Sequence, residues 1–174
     1  MNYFQLFDIN TNFNIDLDLL QSKYIELQRS VHPDVYNNDH STAKKNNISS
    51  SQVNLAYDIL KDDIKRGKYI LKLEGINTDE LSTQLDIDFY DDLLEDSEII
   101  DNIVLQNIAA RLSCTEIFSL EKIIKKRKEE YSEHFKSASE YYQCKQIDNF
   151  GTQIMILGYL KNLINKAVNI LNSS

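Results

Sequence analysis

Apolar residues recur along most of this chain at intervals of three and four, the spacing of one face of an α-helix. The first clear run follows Asp16, where Leu20, Tyr24, Leu27 and Val31 make one stripe. Asp16 is a short acceptor placed just before that run, so it predicts an N-cap and a helix reaching about Val31. Ahead of it, "NYFQLF" is a brief apolar-aromatic segment that stops at the polar "DINTNFN". A second helix is predicted from near Ser41 to about Lys61, with Ile48, Val53, Ala56, Tyr57 and Leu60 facing back toward the first. After a break at "KDD", the segment "IKRGKYILKLEG" predicts a shorter helix closed by Gly75 as its C′ residue.

The polar, weakly patterned "NTDELSTQL" over 77–85 predicts a linker, and three more helical stretches follow it. The first runs from about Asp88 to Leu112, either unbroken or interrupted along the way. The second carries Leu120, Ile124, Lys128, Tyr131, Phe135, Ala138 and Tyr142. The third carries Phe150, Ile154, Leu157, Leu160, Ile164, Val168 and Leu171. Two long amphipathic helices joined by a short connection pack as an antiparallel hairpin, and the acidic helix before them completes a three-helix bundle. Met155, Tyr159 and Leu163 form a further stripe about 100° around the last helix. Tyr90 and Leu94 make a similar off-core pair. Helices apolar on two faces have something to cover besides their own bundle.

The predicted fold is therefore all-α. It comprises an antiparallel helix hairpin with short flanking helices over 1–76, the linker 77–85, and a three-helix bundle over 86–174. Composition agrees, since four glycines and one proline in 174 residues are too few for the frequent turns of an all-β fold. The net charge of −8 is uneven. Residues 77–101 hold ten acids and no base, a surface that repels phosphate backbones and attracts a basic protein partner. Nucleic acid is thus not an expected ligand. No apolar run approaches the roughly 18 residues of a membrane span, and "MNYFQLFDIN" lacks the features of a secretory or transit signal, so a cytoplasmic protein is expected. Cys114 and Cys144 lie far apart with no partner motif, so neither a disulfide framework, a metal site nor a cofactor is expected.

The single proline, Pro33, stands between His32 and Asp34 in "LQRSVHPDVYNNDHS". Proline cannot occupy a helix interior, and it pushes the residue before it out of α geometry. The first helix must stop there, which predicts His32 and Asp34 on an exposed, stiffened turn. A catalytic His–Asp pair would need a nucleophile or metal ligand at credible spacing, and none is present, so an enzyme is not expected. His40 and His134 take no role.

A helix, an HPD tripeptide and a second helix in this order resemble the J-domain of DnaJ-type co-chaperones. "YFQLF", "KYIELQRSVHPDV" and "NLAYDILKDDIKRGKYILKL" follow J-domain order and spacing. The opening "MNYFQLF", the segment "RGKYILKLEG" and an acidic stretch leading into a helical bundle are similar to the HscB family, the J-proteins of iron–sulfur cluster assembly. That resemblance implies a non-enzymatic adaptor. Its J-domain docks on an HscA/DnaK-class ATPase chaperone and stimulates it, and its bundle presents the scaffold protein IscU. It implies chaperone contact by His32, Pro33 and Asp34, with Lys23 and Arg29 adding charge. It implies scaffold contact by Tyr90, Leu94, Glu95 and Glu98 on the first bundle helix and Tyr159 on the last.

The chain departs from the family pattern at three positions. Val35 replaces the usual Lys or Arg after HPD, Asp91 stands where an apolar residue is usual, and Gly158 where a basic one is common. The first, with only Lys23 and Arg29 against Glu26 on the preceding helix, implies docking that is electrostatically weaker than usual or tuned to a chaperone with a less acidic face. The alternative reading is a J-domain protein whose bundle serves a different client.

Overall fold

The computed structural model describes residues 1–31, 49–76, 87–106 and 111–173, and the chain divides into two compact units, Met1–Asn77 and Thr78–Ser174. All regular secondary structure among the described residues is helical.

In the first unit, α1 (Tyr3–Leu6), α2 (Leu17–Val31), α3 (Ser50–Lys61) and α4 (Asp63–Leu73) follow one another. Asn2 caps α1 in a reciprocal pair with Gln5, and the segment buries Phe4 and Phe7. Asp16 starts α2 as the sequence predicts: its Oδ1 accepts from the amides of Asp18 and Leu19, both at 3.0 Å. Leu20 is fully buried, while Tyr24, Leu27 and Val31 are partly so. Tyr24 stacks on Tyr57 of α3 at 4.1 Å, its hydroxyl donates to Asn54, and Gln28 accepts from Ser50. Later residues of α2 thus meet earlier residues of α3, so the two helices run antiparallel.

The start of α3 corrects the sequence reading. Ser49 is extended and caps the helix, exchanging hydrogen bonds with Gln52, so α3 begins at Ser50 rather than in a helix continuous from Ser41. A capping box satisfies amides that have no partner in the first turn, which fixes Ser50 as the first residue of α3. Ile48 lies outside the described residues.

Asp62 breaks the chain between α3 and α4 by accepting from the amides of Ile64 and Lys65. Gly75 closes α4 at φ +80°, with its own amide on Lys72 O and that of Ile76 on Leu71 O. Arg66 is enclosed in this unit. Its Nε donates to Phe13 O at 2.7 Å, Nη1 to Leu60 O at 2.6 Å and Nη2 to Asp63 at 3.1 Å, with the guanidinium over the Phe13 ring. The loop between α1 and α2 is thereby fastened to the α3–α4 corner. Full burial of Phe4, Phe7 and Phe13 stabilises the unit by roughly 1.5–3 kcal/mol each.

The second unit holds α5 (Ile87–Gln106), α6 (Cys114–Gln143) and α7 (Ile147–Asn172). The helix expected to run to Leu112 does not. Leu112 is non-helical, and Ser113 begins α6 through a capping box with Glu116. The α6–α7 connection is three residues long, with Lys145 in the left-handed region at φ 58°. Tyr142 faces Phe150 and His134 Nδ1 bonds Gln153, so α6 and α7 form the antiparallel hairpin. Leu93, Ile100 and Ile103 of α5, Leu120 and Ile123 of α6, and Ile156, Leu160, Leu163 and Ala167 of α7 make the shared core.

Two register details differ from the sequence reading. On α6, Ile123 and Arg127 are buried while Lys128 is exposed, and on α7 Leu163 belongs to the core while Ile164 is only partly covered. Leu120, Ala138, Phe150, Ile154, Leu157 and Leu160 are buried as expected; at the positions that differ the inward residue sits one place earlier, because apolar residues at adjacent positions leave the local phase to packing.

Candidate functional site

The second unit presents a strip of exposed apolar side chains between α5 and α7, and the ion pairs of the bundle fix where it lies. Phe89 packs on His134, Lys126 binds Asp92 and Arg127 binds Asp96, so α5 ascends as α6 descends. Because α6 and α7 are antiparallel, α5 and α7 run parallel. Lys166 of α7 lies 2.7 Å from Asp101 and 3.4 Å from Ser97. Seven residues back along each of two parallel helices reproduces the same side at the same separation. That step leads from Ser97 to Tyr90, from Asp101 to Leu94 and from Lys166 to Tyr159. The three apolar candidates therefore border one seam, and they are 45%, 45% and 40% exposed. They are not bundle core.

Glu95 and Glu98 are exposed farther around α5, and Asp91 is exposed beside them. An apolar seam with carboxylates along one side can seat an apolar ridge and attract bases on its flank. Of the stripe Met155, Tyr159 and Leu163, only Tyr159 is free on the surface. Met155 is partly buried, and Leu163 is turned into the core.

Arg127 is the feature that sequence reasoning missed. It stands in the basic run Lys125 to Lys128, which with Glu129, Glu130 and Glu133 close behind has the composition of a solvated helix face, yet Arg127 is completely enclosed. Its Nε donates to Asp96 at 2.8 Å, its Nη1 reaches Asp92 Oδ2 at 2.9 Å and Glu130 at 2.7 Å, and its Nη2 donates to the main-chain oxygen of Asp92 at 2.7 Å. Burial alone would lower the Arg127 pKa, but the hydrogen bond it donates to Glu130 and the charges of Asp96 and Glu130 raise it above its ordinary value. The hydrogen bond from Lys126, helped by Arg127, holds the Asp92 carboxyl below the usual range. The available signal was the acid pair Asp92 and Asp96 one turn apart on a helix with no base of its own.

In the first unit the expected chaperone-contact residues are not gathered into one patch among those described. Lys23 is partly covered, 3.8 Å from Asp8 and 4.0 Å from Glu26, while Arg29 is exposed. Six residues of helix separate them by about 120°. His32, Pro33 and Asp34 lie outside the described residues, as does Val35.

Among the described residues, no three His, Cys, Asp or Glu side chains gather as a metal-holding group, and no helix is long and apolar enough to cross a membrane. Cys114 and Cys144 are exposed free thiols.

No family model matches the chain. A co-chaperone protein HscB homolog of Shewanella baltica is 40% identical over 105 residues, which is 59% of this chain and 60% of that protein. The match thus spans about three-fifths of the curated relatives' length. Among solved structures, human co-chaperone protein HscB is 28% identical, with a TM-score of 0.73 over 97% of this chain and 81% of that one. Chaperone HscB from Vibrio cholerae has the same fold at a TM-score of 0.77, covering 99% of both chains at 24% identity. Curated relatives and solved folds agree: this chain is similar to HscB co-chaperones in sequence over 105 residues and shares their fold.

Proposed function

We propose that this protein is a cytoplasmic adaptor, not itself an enzyme, that stimulates an HscA/DnaK-class ATPase chaperone and delivers an IscU-like iron–sulfur scaffold protein to it. His32, Pro33 and Asp34 engage the chaperone, with Lys23 and Arg29 contributing charge. Tyr90, Leu94 and Tyr159 seat the scaffold, and Glu95 and Glu98 meet its basic flank. The observation that carries this reading is the exposure of those three apolar side chains along one seam, in a chain similar to HscB co-chaperones. Monomeric surfaces rarely leave such a patch without a partner.

The mechanism is bivalent. Client and adaptor each touch the chaperone, so joining them raises effective concentration without any single tight interface. The test is ATP turnover with purified HscA- and IscU-like partners. Stimulation is expected from the wild-type chain and lost in His32→Gln, with scaffold binding intact. Leu94→Ala combined with Tyr159→Ala weakens scaffold binding by about 2–5 kcal/mol. Retained stimulation in His32→Gln refutes the chaperone half, and unchanged calorimetric affinity in the double variant refutes the scaffold half.

A further inference from the structure

Besides the exposed pairs of Lys126 with Asp92 and Lys166 with Asp101 and the contact of Phe89 with His134, which water or a single ring leaves loosely directed, the helix that carries most of the proposed scaffold seam holds to its bundle through two buried sets of contacts. Leu93, Ile100 and Ile103 enter the core, and Asp92 and Asp96 enter the guanidinium of Arg127. Apolar burial is non-directional, so a helix resting on three aliphatic side chains can roll by some degrees at little cost. A planar fork is directional: its N–H groups must meet their acceptors in fixed positions. Here the fork takes the Asp96 carboxylate, the Asp92 carboxylate and the Asp92 main-chain oxygen, and Glu130 anchors it to its own helix. A side chain sets rotation, and a main-chain oxygen sets height. Leu94 lies two residues from each aspartate, about 200° around the helix. Any roll that opened the fork would swing Leu94 and Tyr90 sideways relative to Tyr159.

We propose that Arg127, through Asp92 and Asp96, is a positioning residue that fixes the rotation and height of α5 and so aligns Tyr90 and Leu94 with Tyr159 for the scaffold. The inference rests on the reading of that seam given above. Enclosed ion pairs contribute little net stability over apolar side chains of equal volume, and a unique setting of one element on another is what they add.

The test compares two substitutions in the full chain. Arg127→Lys keeps the charge and loses the fork. Lys126→Gln removes a charge beside Asp92, where Lys126 Nζ sits 2.6 Å from Oδ1, and leaves the fork in place. Hydrogen–deuterium exchange and calorimetric titration with the IscU-like scaffold are read for each. For Arg127→Lys, amide exchange over 91–101 rises about tenfold with α6 and α7 unchanged, and scaffold affinity falls about tenfold. For Lys126→Gln neither moves by more than about twofold.

The proposal is overturned if Arg127→Lys leaves exchange in α5 or the scaffold affinity at wild-type values, if faster exchange spreads evenly over α6 and α7, or if Lys126→Gln loses as much affinity. Should Arg127→Lys not fold, Asp96→Asn, which keeps the shape and loses the charge, carries the same expectations and the same refutations. A wild-type chain that binds no scaffold refutes the seam reading instead, and the exchange pattern then decides the Arg127 clamp by itself.

Discussion

Each unit of this chain encloses one arginine, Arg66 in the first and Arg127 in the second, and the two are satisfied by different kinds of acceptor. Arg66 donates to the main-chain oxygens of Phe13 at 2.7 Å and Leu60 at 2.6 Å, and to the Asp63 carboxylate at 3.1 Å. Arg127 reaches three carboxylates and one main-chain oxygen. Main-chain oxygens cannot be removed by substitution and do not titrate, whereas carboxylates do both. The two main-chain acceptors of Arg66 are thus beyond the reach of acid and of any change to the acceptor's side chain, whereas the carboxylates around Arg127 are open to both. The units also close a helix in the same way with different residues: Gly75 at φ 80° and Lys145 at φ 58°.

The largest expected effects test the arginines directly. Arg127→Met leaves Asp96 enclosed without a counter-charge and costs about 3–5 kcal/mol in urea unfolding, and adding Asp96→Leu restores most of it. Arg66→Met orphans two carbonyls and costs about 2–3 kcal/mol, with no recovery from any change at Asp63. Recovery there would erase the distinction between the units. Next in size are the helix ends. Gly75→Ala costs about 1 kcal/mol although open space surrounds the position, because the backbone setting itself resists a side chain. Lys145→Gly gains up to about 1 kcal/mol for the same reason reversed.

Acid gives the smallest effect, because the Asp92 side chain is more than a third exposed and water screens it. Its folded-state pKa is depressed, so its contribution is whole above the ordinary value of 3.8 and drains away as pH falls through the lowered one. Melting scans stepped down from neutral pH should show the second unit loosening before the first. The opposite order would contradict the difference in acceptors.

Much of this architecture was legible because it rests on local chemistry. Asp16 as a cap, Gly75 as a helix stop and the four-three rhythm of α2 each depend on a few neighbouring residues. What escaped was phase. Four consecutive bases, Lys125, Lys126, Arg127 and Lys128, are equivalent until a second helix selects one of them. Ile123 and Ile124, or Leu163 and Ile164, compete for the same inward position in the same way. Capping boxes at Ser49 and Ser113 were written in the sequence as Ser-x-x-Gln and Ser-x-x-Glu, yet the periodicity around them drew the helix limits elsewhere. For the candidate seam, residue identities pointed to Tyr90, Leu94 and Tyr159, while their alignment required the parallel course of α5 and α7. The HPD turn rests on sequence alone.

One property of α5 has a consequence for its existence as a helix. It contains no lysine or arginine, and Asp91 with Glu95, and Asp92 with Asp96, place like charges one turn apart. The cations it meets are lent by its neighbours, among them Lys126 and Arg127 from one side and Lys166 from the other. Cut free as a peptide, this segment would repel itself and unwind at neutral pH. Its helicity is borrowed, so the surface offered to a client exists only while the α6–α7 hairpin is intact to neutralise it.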